Sequence, residues 1–414
     1  MSSDRGLPRG TLRALSAPRE SVYSGPMTVI TDSATLAAFC DRMSAESFVT
    51  VDTEFMRDRT YWPDLCLVQI AGSEEAAAID PMADGIDLAP LLTLLANPRV
   101  LKVFHAARQD LEIFALLTGG RLPTPIFDSQ VAAMVCGFGD SVSYETLAAR
   151  LAGARIDKSS RFTDWSKRPL SERQITYALA DVTHLRVVYL KLSKRLQSTG
   201  RERWVDEEMA VLTDPATYRL DPESAWMRLK PRSGSPKFLN VLKALAAWRE
   251  TEAQRRNLPR NRLVRDEALL EIAAQTPKTV AELARSRGLS KGTAEGVVGE
   301  ALLAAVARGL AAPPEDAPKL AERPEVPPGR GPLIDLLKVL LKLKCEAHHV
   351  AQKLVATTAD LEAIACSDSA PVAALHGWRR DVFGADALAL KQGRLALAAA
   401  RDAIKVVPLE PDQV

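Results

Sequence analysis

No apolar run in this chain of 414 residues approaches the roughly 20 residues that a membrane-spanning helix requires. Its first residues show no basic segment followed by an apolar stretch and a cleavage site. Neither membrane insertion nor secretion is indicated, so a cytoplasmic protein with no membrane partner is expected. Cysteine is scarce: Cys40, Cys66, Cys136, Cys345 and Cys366 are scattered with no C-x-x-C pair, which argues against a disulfide framework and a structural zinc site. Charge of one sign is also lacking. A formal net charge of +2 gives no whole-chain argument for an anionic partner.

The chain is too long for one ordinary hydrophobic core, and two or three domains are expected. With 47% apolar and 26% charged residues the composition is that of a soluble globular protein. Residues 1–26 carry arginine, proline and serine with no apolar period, and read as a disordered tail upstream of a second possible start at Met27. From 27 to 228 a mixed domain is expected. FVTVDTEF, CLVQIAG and AAAIDP are strand-like runs with tight connections, suggesting an antiparallel meander, and LKVFHA adds a fourth strand. Helical periods then dominate, from RQDLEIFALL to ITYALADVTHLRVVYLKLSKRL, which predicts an α/β mixed sheet flanked by helices. A proline-containing linker at 229–235 leads to a helical domain over 236–312. A proline-rich spacer at 313–331 leads to a second helical domain over 332–408, in which QGRLALAAARDAI is read as helix.

Three short stretches carry residues capable of chemistry. Asp52 and Glu54 in VDTEF lie two apart on an expected strand, so both carboxylates face the same way. Two acids side by side in an apolar strand are costly unless a cation lies between them, and magnesium suits carboxylate oxygens. Taken alone, D-x-E is more often a solvated outward-facing pair. Asp110 stands in the first turns of the helix in HAARQDLEIF, where it could merely favour the helix dipole. Tyr177 and Asp181 in YALAD are four apart on one helical face. Together these stretches supply four acids from three elements and a phenol beside the last.

In these motifs the sequence resembles the DEDD superfamily of 3′-to-5′ exonucleases, in its tyrosine subclass, because Tyr177 stands four before Asp181 while Thr176 occupies the histidine place of the other subclass. VDTEFMRDRTYWPDLCLVQIAG, VFHAARQDLEIF and DWSKRPLSERQITYALADV are similar to the three signature stretches of the ribonuclease D family. The two helical domains resemble, the last more loosely, the HRDC-type modules that follow its nuclease domain. The resemblance implies a ribonuclease H-like sheet and a two-metal mechanism, in which two ions stabilise the attacking and leaving oxygens at phosphorus. It implies that Asp52, Glu54, Asp110 and Asp181 hold the two Mg2+ ions, with Mn2+ able to substitute, and that Tyr177 orients the attacking water. The implied partner is RNA with a free 3′ end, such as a tRNA precursor, and the implied products are nucleoside 5′-monophosphates. A monomer is the default expectation.

Other residues leave two readings open. Arg255, Arg256, Arg260, Arg262 and Arg265 form a cluster suited to phosphates, or simply a solvated face. Phe55, Met56 and Trp62 could stack on a terminal base or pack in the core. His105 could touch substrate, though a hydrogen-bonded structural histidine is the plainer reading. His184, three after Asp181, could flank the metals. Cys345, His348 and His349 lack a second cluster to complete a zinc site. Two rival functions remain at this point: a DNA exonuclease with the same acids, since RNA selection rests on 2′-hydroxyl contacts, and a binding module without catalysis.

Overall fold

The computed structural model describes residues 25–157, 163–231, 233–320 and 327–409. The expected tail, up to residue 24, and part of the expected spacer at 313–331 lie outside them. The first domain runs β1 (Met27–Ile30), α1 (Ser33–Met43), β2 (Phe48–Met56), β3 (Asp64–Ala71) and β4 (Ala76–Ile79). It continues with α2 (Ala89–Ala96), β5 (Leu101–Phe104), α3 (Arg108–Thr118), β6 (Ile126–Asp128), α4 (Ser129–Val135), α5 (Tyr144–Leu147), α6 (Glu172–Thr199) and α7 (Glu202–Leu212). The six strands form one sheet in the order β1-β4-β3-β2-β5-β6. β2, β3 and β4 are the antiparallel meander, and the outer pairings β1–β4, β2–β5 and β5–β6 are parallel. Helix α1 and the short strands β1 and β6 were not among the expected elements; for the two edge strands, too few residues are present for a period to emerge.

Side-chain alternation separates the two faces of the sheet. Val49, Val51, Val68, Ile70, Ala77 and Ile79 join the larger core, which α1, α2 and α3 cover. Leu67, Ala71, Ala76 and Ala78 pack on the other face against Ala178, Leu179 and Val182 of α6. Helix α6 starts at a capping box, with Ser171 accepting from the Gln174 amide and the Gln174 side chain returning the bond, and stops at Gly200 in the left-handed region. Lys102 on β5 is wholly buried, and its ammonium donates to the carbonyls of Asn97, Val100 and Thr124 at 2.9, 2.8 and 2.6 Å.

The first helical module comprises α8 (Pro236–Arg256), α9 (Arg260–Leu263), α10 (Asp266–Gln275), α11 (Val280–Leu283), α12 (Lys291–Glu295) and α13 (Val297–Ala311) around its own core. Gly309 of α13 lies so close to α8 that a Cβ there would sit 2.5 Å from the Val241 Cα. The second module comprises α14 (Gly331–His348), α15 (Gln352–Val355), α16 (Thr358–Cys366), α17 (Gly377–Arg379) and α18 (Ala385–Lys391). Its end differs from the expected helix. Residues Leu395–Ala400 and Ala403–Pro408 form an antiparallel hairpin, β7 and β8, around a two-residue turn in which Arg401 takes φ +56°. The paired Leu397 and Val406 lie against the module core, and β-branched Ile404, Val406 and Val407 suit a pleated strand. That packing outweighs the helix propensity of the alanines.

Candidate active site

The face of β2 that carries Thr50, Asp52 and Glu54 looks toward α6, and the Thr50 hydroxyl donates to the carbonyl of Val182 at 2.8 Å. Asp181, one residue before that carbonyl, is thereby brought to the strand. Carboxylate oxygens of Asp52, Glu54 and Asp181 come within 4.8 Å of one another. Just beyond Glu54 the register slips: Glu54 pairs with Leu67 and Phe55 with Leu65, leaving Cys66 as an extra residue in β3. The Cys66 carbonyl accepts from Arg168 at 2.7 Å, and Arg168 is clamped by both carboxylate oxygens of Asp80. The bulge beside the acids is therefore held from the loop that precedes α6.

Asp110 approaches from the other face of the sheet. It is 6% exposed, and Thr53, which points opposite to Asp52 and Glu54, donates its hydroxyl to Asp110 Oδ1 at 2.5 Å. The turn leading into α3 puts Ala106 at φ +59°, a conformation that disfavours a side chain bearing Cβ. Asp128 secures it: its two oxygens accept from the amides of Ala106 and Ala107 at 3.0 and 2.9 Å, while Oδ1 also caps α4 through the Gln130 amide.

These elements enclose a cleft of about 380 Å³ lined by Asp52, Phe55, His105, Asp110, Tyr177 and Asp181, with Tyr144 and Gln130 on its wall. Among its described lining residues there is no lysine or arginine. Burial, and then the charge of Asp181, pushes the Asp52 carboxyl well above the usual range. Burial, and then Asp52, does the same to Asp110. Asp52, Asp110 and Asp181 in this cleft, with Glu54 beside Asp52 and Asp181, need a cation to ionise together, and an oxygen-only donor set fits hard divalent ions. The residues present thus suit divalent metal ions.

His105 fits its structural reading: its Nδ1 lies 2.9 Å from the Ser129 hydroxyl and its ring packs on Tyr144 at 5.3 Å, while burial keeps its pKa down. Tyr144 was not singled out by the sequence. Its hydroxyl donates to the Asp181 carbonyl at 2.5 Å, so it steadies the turn that presents that acid. Tyr177 packs against the buried Trp165 with ring centroids 6.2 Å apart. Thr53 and Tyr144, and Asp128 in its hold on the Ala106 turn, act by touching distant segments of the chain, which no local spacing announces.

Several of the expected RNA contacts are engaged within the molecule. The Trp62 indole donates to the Gln254 carbonyl at 3.3 Å, and Arg260 pairs with Glu250 at 2.5 Å. Arg255 and Arg256 both pair with Glu252, whereas Arg262 and Arg265 are exposed. His184 is not among the described residues lining the cleft.

A mixed sheet with a carboxylate cleft at this position is consistent with a metal-dependent nuclease, and the class is that of the 3′-to-5′ exonucleases: residues 27–197 match the model of the 3′-5′ exonuclease family, as 238–306 match the HRDC domain. Ribonuclease D of Granulibacter bethesdensis is 54% identical over 394 residues, covering 95% of this chain and 99% of that one. Ribonuclease D of Gluconacetobacter diazotrophicus is 54% identical over 380 residues, covering 92% and 96%. The crystal structure of Escherichia coli RNase D superposes with a TM-score of 0.76 at 29% identity, covering 89% of this chain and 99% of that one. The chain belongs to the ribonuclease D family, and it is a hydrolase, a 3′-to-5′ exoribonuclease.

Proposed function

We propose that this exoribonuclease uses Mg2+, with Mn2+ able to replace it, and trims the 3′ ends of structured RNA such as tRNA precursors in the cytoplasm as a monomer, releasing nucleoside 5′-monophosphates. The observation that carries the catalytic reading is the meeting of Asp52, Glu54 and Asp181 oxygens within 4.8 Å, at a cleft that Asp52, Asp181, Asp110 and Tyr177 line. The substrate class follows the Escherichia coli relative, described as an exoribonuclease involved in structured RNA processing.

In this reading Asp52, Glu54, Asp181 and Asp110 would hold the divalent ions. Bound ions supply Lewis acidity and charge at the phosphate. Tyr177, a phenol with a high ordinary pKa, positions the attacking water rather than removing its proton. Phe55 at the cleft wall offers a surface for the terminal base.

The test is digestion of a 3′-extended tRNA, labelled at its 5′ end, with magnesium or with EDTA. The wild type should shorten it stepwise only with metal. Asp52→Asn should lower the rate by more than about a hundredfold, since even outer-shell partners of metal ligands carry about 10–100-fold. A wild type that binds the RNA and shortens nothing with either metal would overturn the reading, and equal rates on the matching deoxyribo-oligonucleotide would remove the RNA preference.

A further inference from the structure

The segment 57–63 connects β2, which carries Asp52 and Glu54, to β3, and it is fastened at both ends. Near its start, Arg57 forms a two-pronged ion pair with Glu112 at 2.8 and 2.9 Å, two residues beyond Asp110 on α3. Near its end it is held by the first helical module. The Asn257 side-chain oxygen accepts from the amides of both Tyr61 and Trp62 at 3.0 Å. The buried Tyr61 hydroxyl donates to Glu250, which is 1% exposed and also takes Arg260 and Arg228. The Arg260 guanidinium lies over the Tyr61 ring at 4.6 Å. Burial opposes the charge on Glu250, yet the hydrogen bonds from Arg260 and Tyr61 hold its pKa below the ordinary value.

Asn257 combines two properties. It ends α8 in the left-handed region at φ +50°, which asparagine and glycine tolerate, and of these two only asparagine carries an acceptor. An interface needed only for attachment could be apolar. This one takes up the backbone amides of a loop that begins directly after the acid-bearing strand.

We propose that the first helical module is part of the active-site frame, with Asn257 a positioning residue that fixes the 57–63 loop and, through it, the register of Asp52 and Glu54 against Asp110 and Asp181. The proposal rests on the metal-dependent nuclease reading. It assigns the module an effect on metal binding and turnover even for a substrate too short to reach it.

Asn257→Gly keeps the left-handed cap and removes both hydrogen bonds to the loop; Asn257→Asp keeps an acceptor. Mn2+ alone is titrated into each full-length protein by calorimetry, and kcat and KM are measured on a ribotrinucleotide, with thermal unfolding followed in parallel. Asn257→Gly should weaken Mn2+ binding and lower kcat by about tenfold, the size that two net hydrogen bonds supply. KM should stay within about twofold, and Asn257→Asp should recover most of both effects. Hydrogen exchange should rise in 52–63 while α10 and α13 keep wild-type protection, which separates loss of positioning from unfolding of the module. Wild-type Mn2+ affinity and kcat in Asn257→Gly would overturn the proposal, as would a decline accompanied by exchange throughout α8–α13. If the wild type itself cleaves no RNA, the nuclease reading fails, while the Mn2+ titration still decides the positioning.

Discussion

The two helical modules are joined to the nuclease domain in different ways. The first grips the loop beside the acid strand through a largely buried polar group of Tyr61, Glu250, Arg260 and Asn257. The second is fastened to α4 and α7. Trp204 and Trp378 stack with centroids 4.3 Å apart and planes 9° from parallel, and Arg379 bonds Glu208 and the Leu354 carbonyl. Arg201 donates to the carbonyls of Val135, His348 and His349, and the Ala351 amide to that of Met134. None of these groups is among the described residues lining the acid cleft. A polar network on the loop beside the strand can transmit geometry to the acids, whereas the Trp stack and its surrounding hydrogen bonds chiefly anchor a body of fixed shape.

The strongest way to break this contrast is Trp378→Ala. Removing a buried aromatic typically costs about 3–5 kcal/mol, and here the cost includes the stack with Trp204. Calorimetry should show the second module melting early while kcat on a ribotrinucleotide stays unchanged; a fall in kcat matching that of Asn257→Gly would show that both modules shape the site. Gly137→Ala is a gentler probe of the same joint. Gly137 has φ +79°, and a Cβ there would lie 2.5 Å from the His349 carbonyl oxygen, so a destabilisation of about 1–3 kcal/mol is expected from overpacking, read as a lower Tm without a change in metal affinity. The smallest expected effect sharpens the other side of the comparison. Arg262→Ala with Arg265→Ala should leave turnover of the ribotrinucleotide intact and reduce the salt slope of tRNA binding by about one to two, near one for each phosphate no longer neutralised. An unchanged slope would remove these exposed arginines from the RNA path.

The acids were legible because their spacing is local: two apart on a strand for Asp52 and Glu54, four apart on a helix for Tyr177 and Asp181. The flanked mixed sheet was legible for the same reason, since the core strands are short apolar or alternating runs and each long helix keeps its period. The arginine cluster was only half legible. Sequence shows that Arg260 is near Arg262, but not that Glu250, one helix earlier, turns Arg260 inward toward Tyr61. The hairpin at the end of the second module was misread because LALAAA has the composition of a helix, and only its packing on the module core, together with the turn at Arg401, makes it a strand. Asp128, Thr53 and Tyr144 went unnoticed because each steadies an acid from a different stretch of the chain.

Lys102 has a practical consequence for anyone studying this protein at the bench. Its amine is fully enclosed and committed to three carbonyl oxygens, while most other lysines stand at the surface. In a timed acetylation experiment read by mass spectrometry, surface lysines will label at once and Lys102 only when the central sheet opens. A single peptide from β5 therefore serves as a clock for opening of the nuclease domain, independent of what the two helical modules are doing.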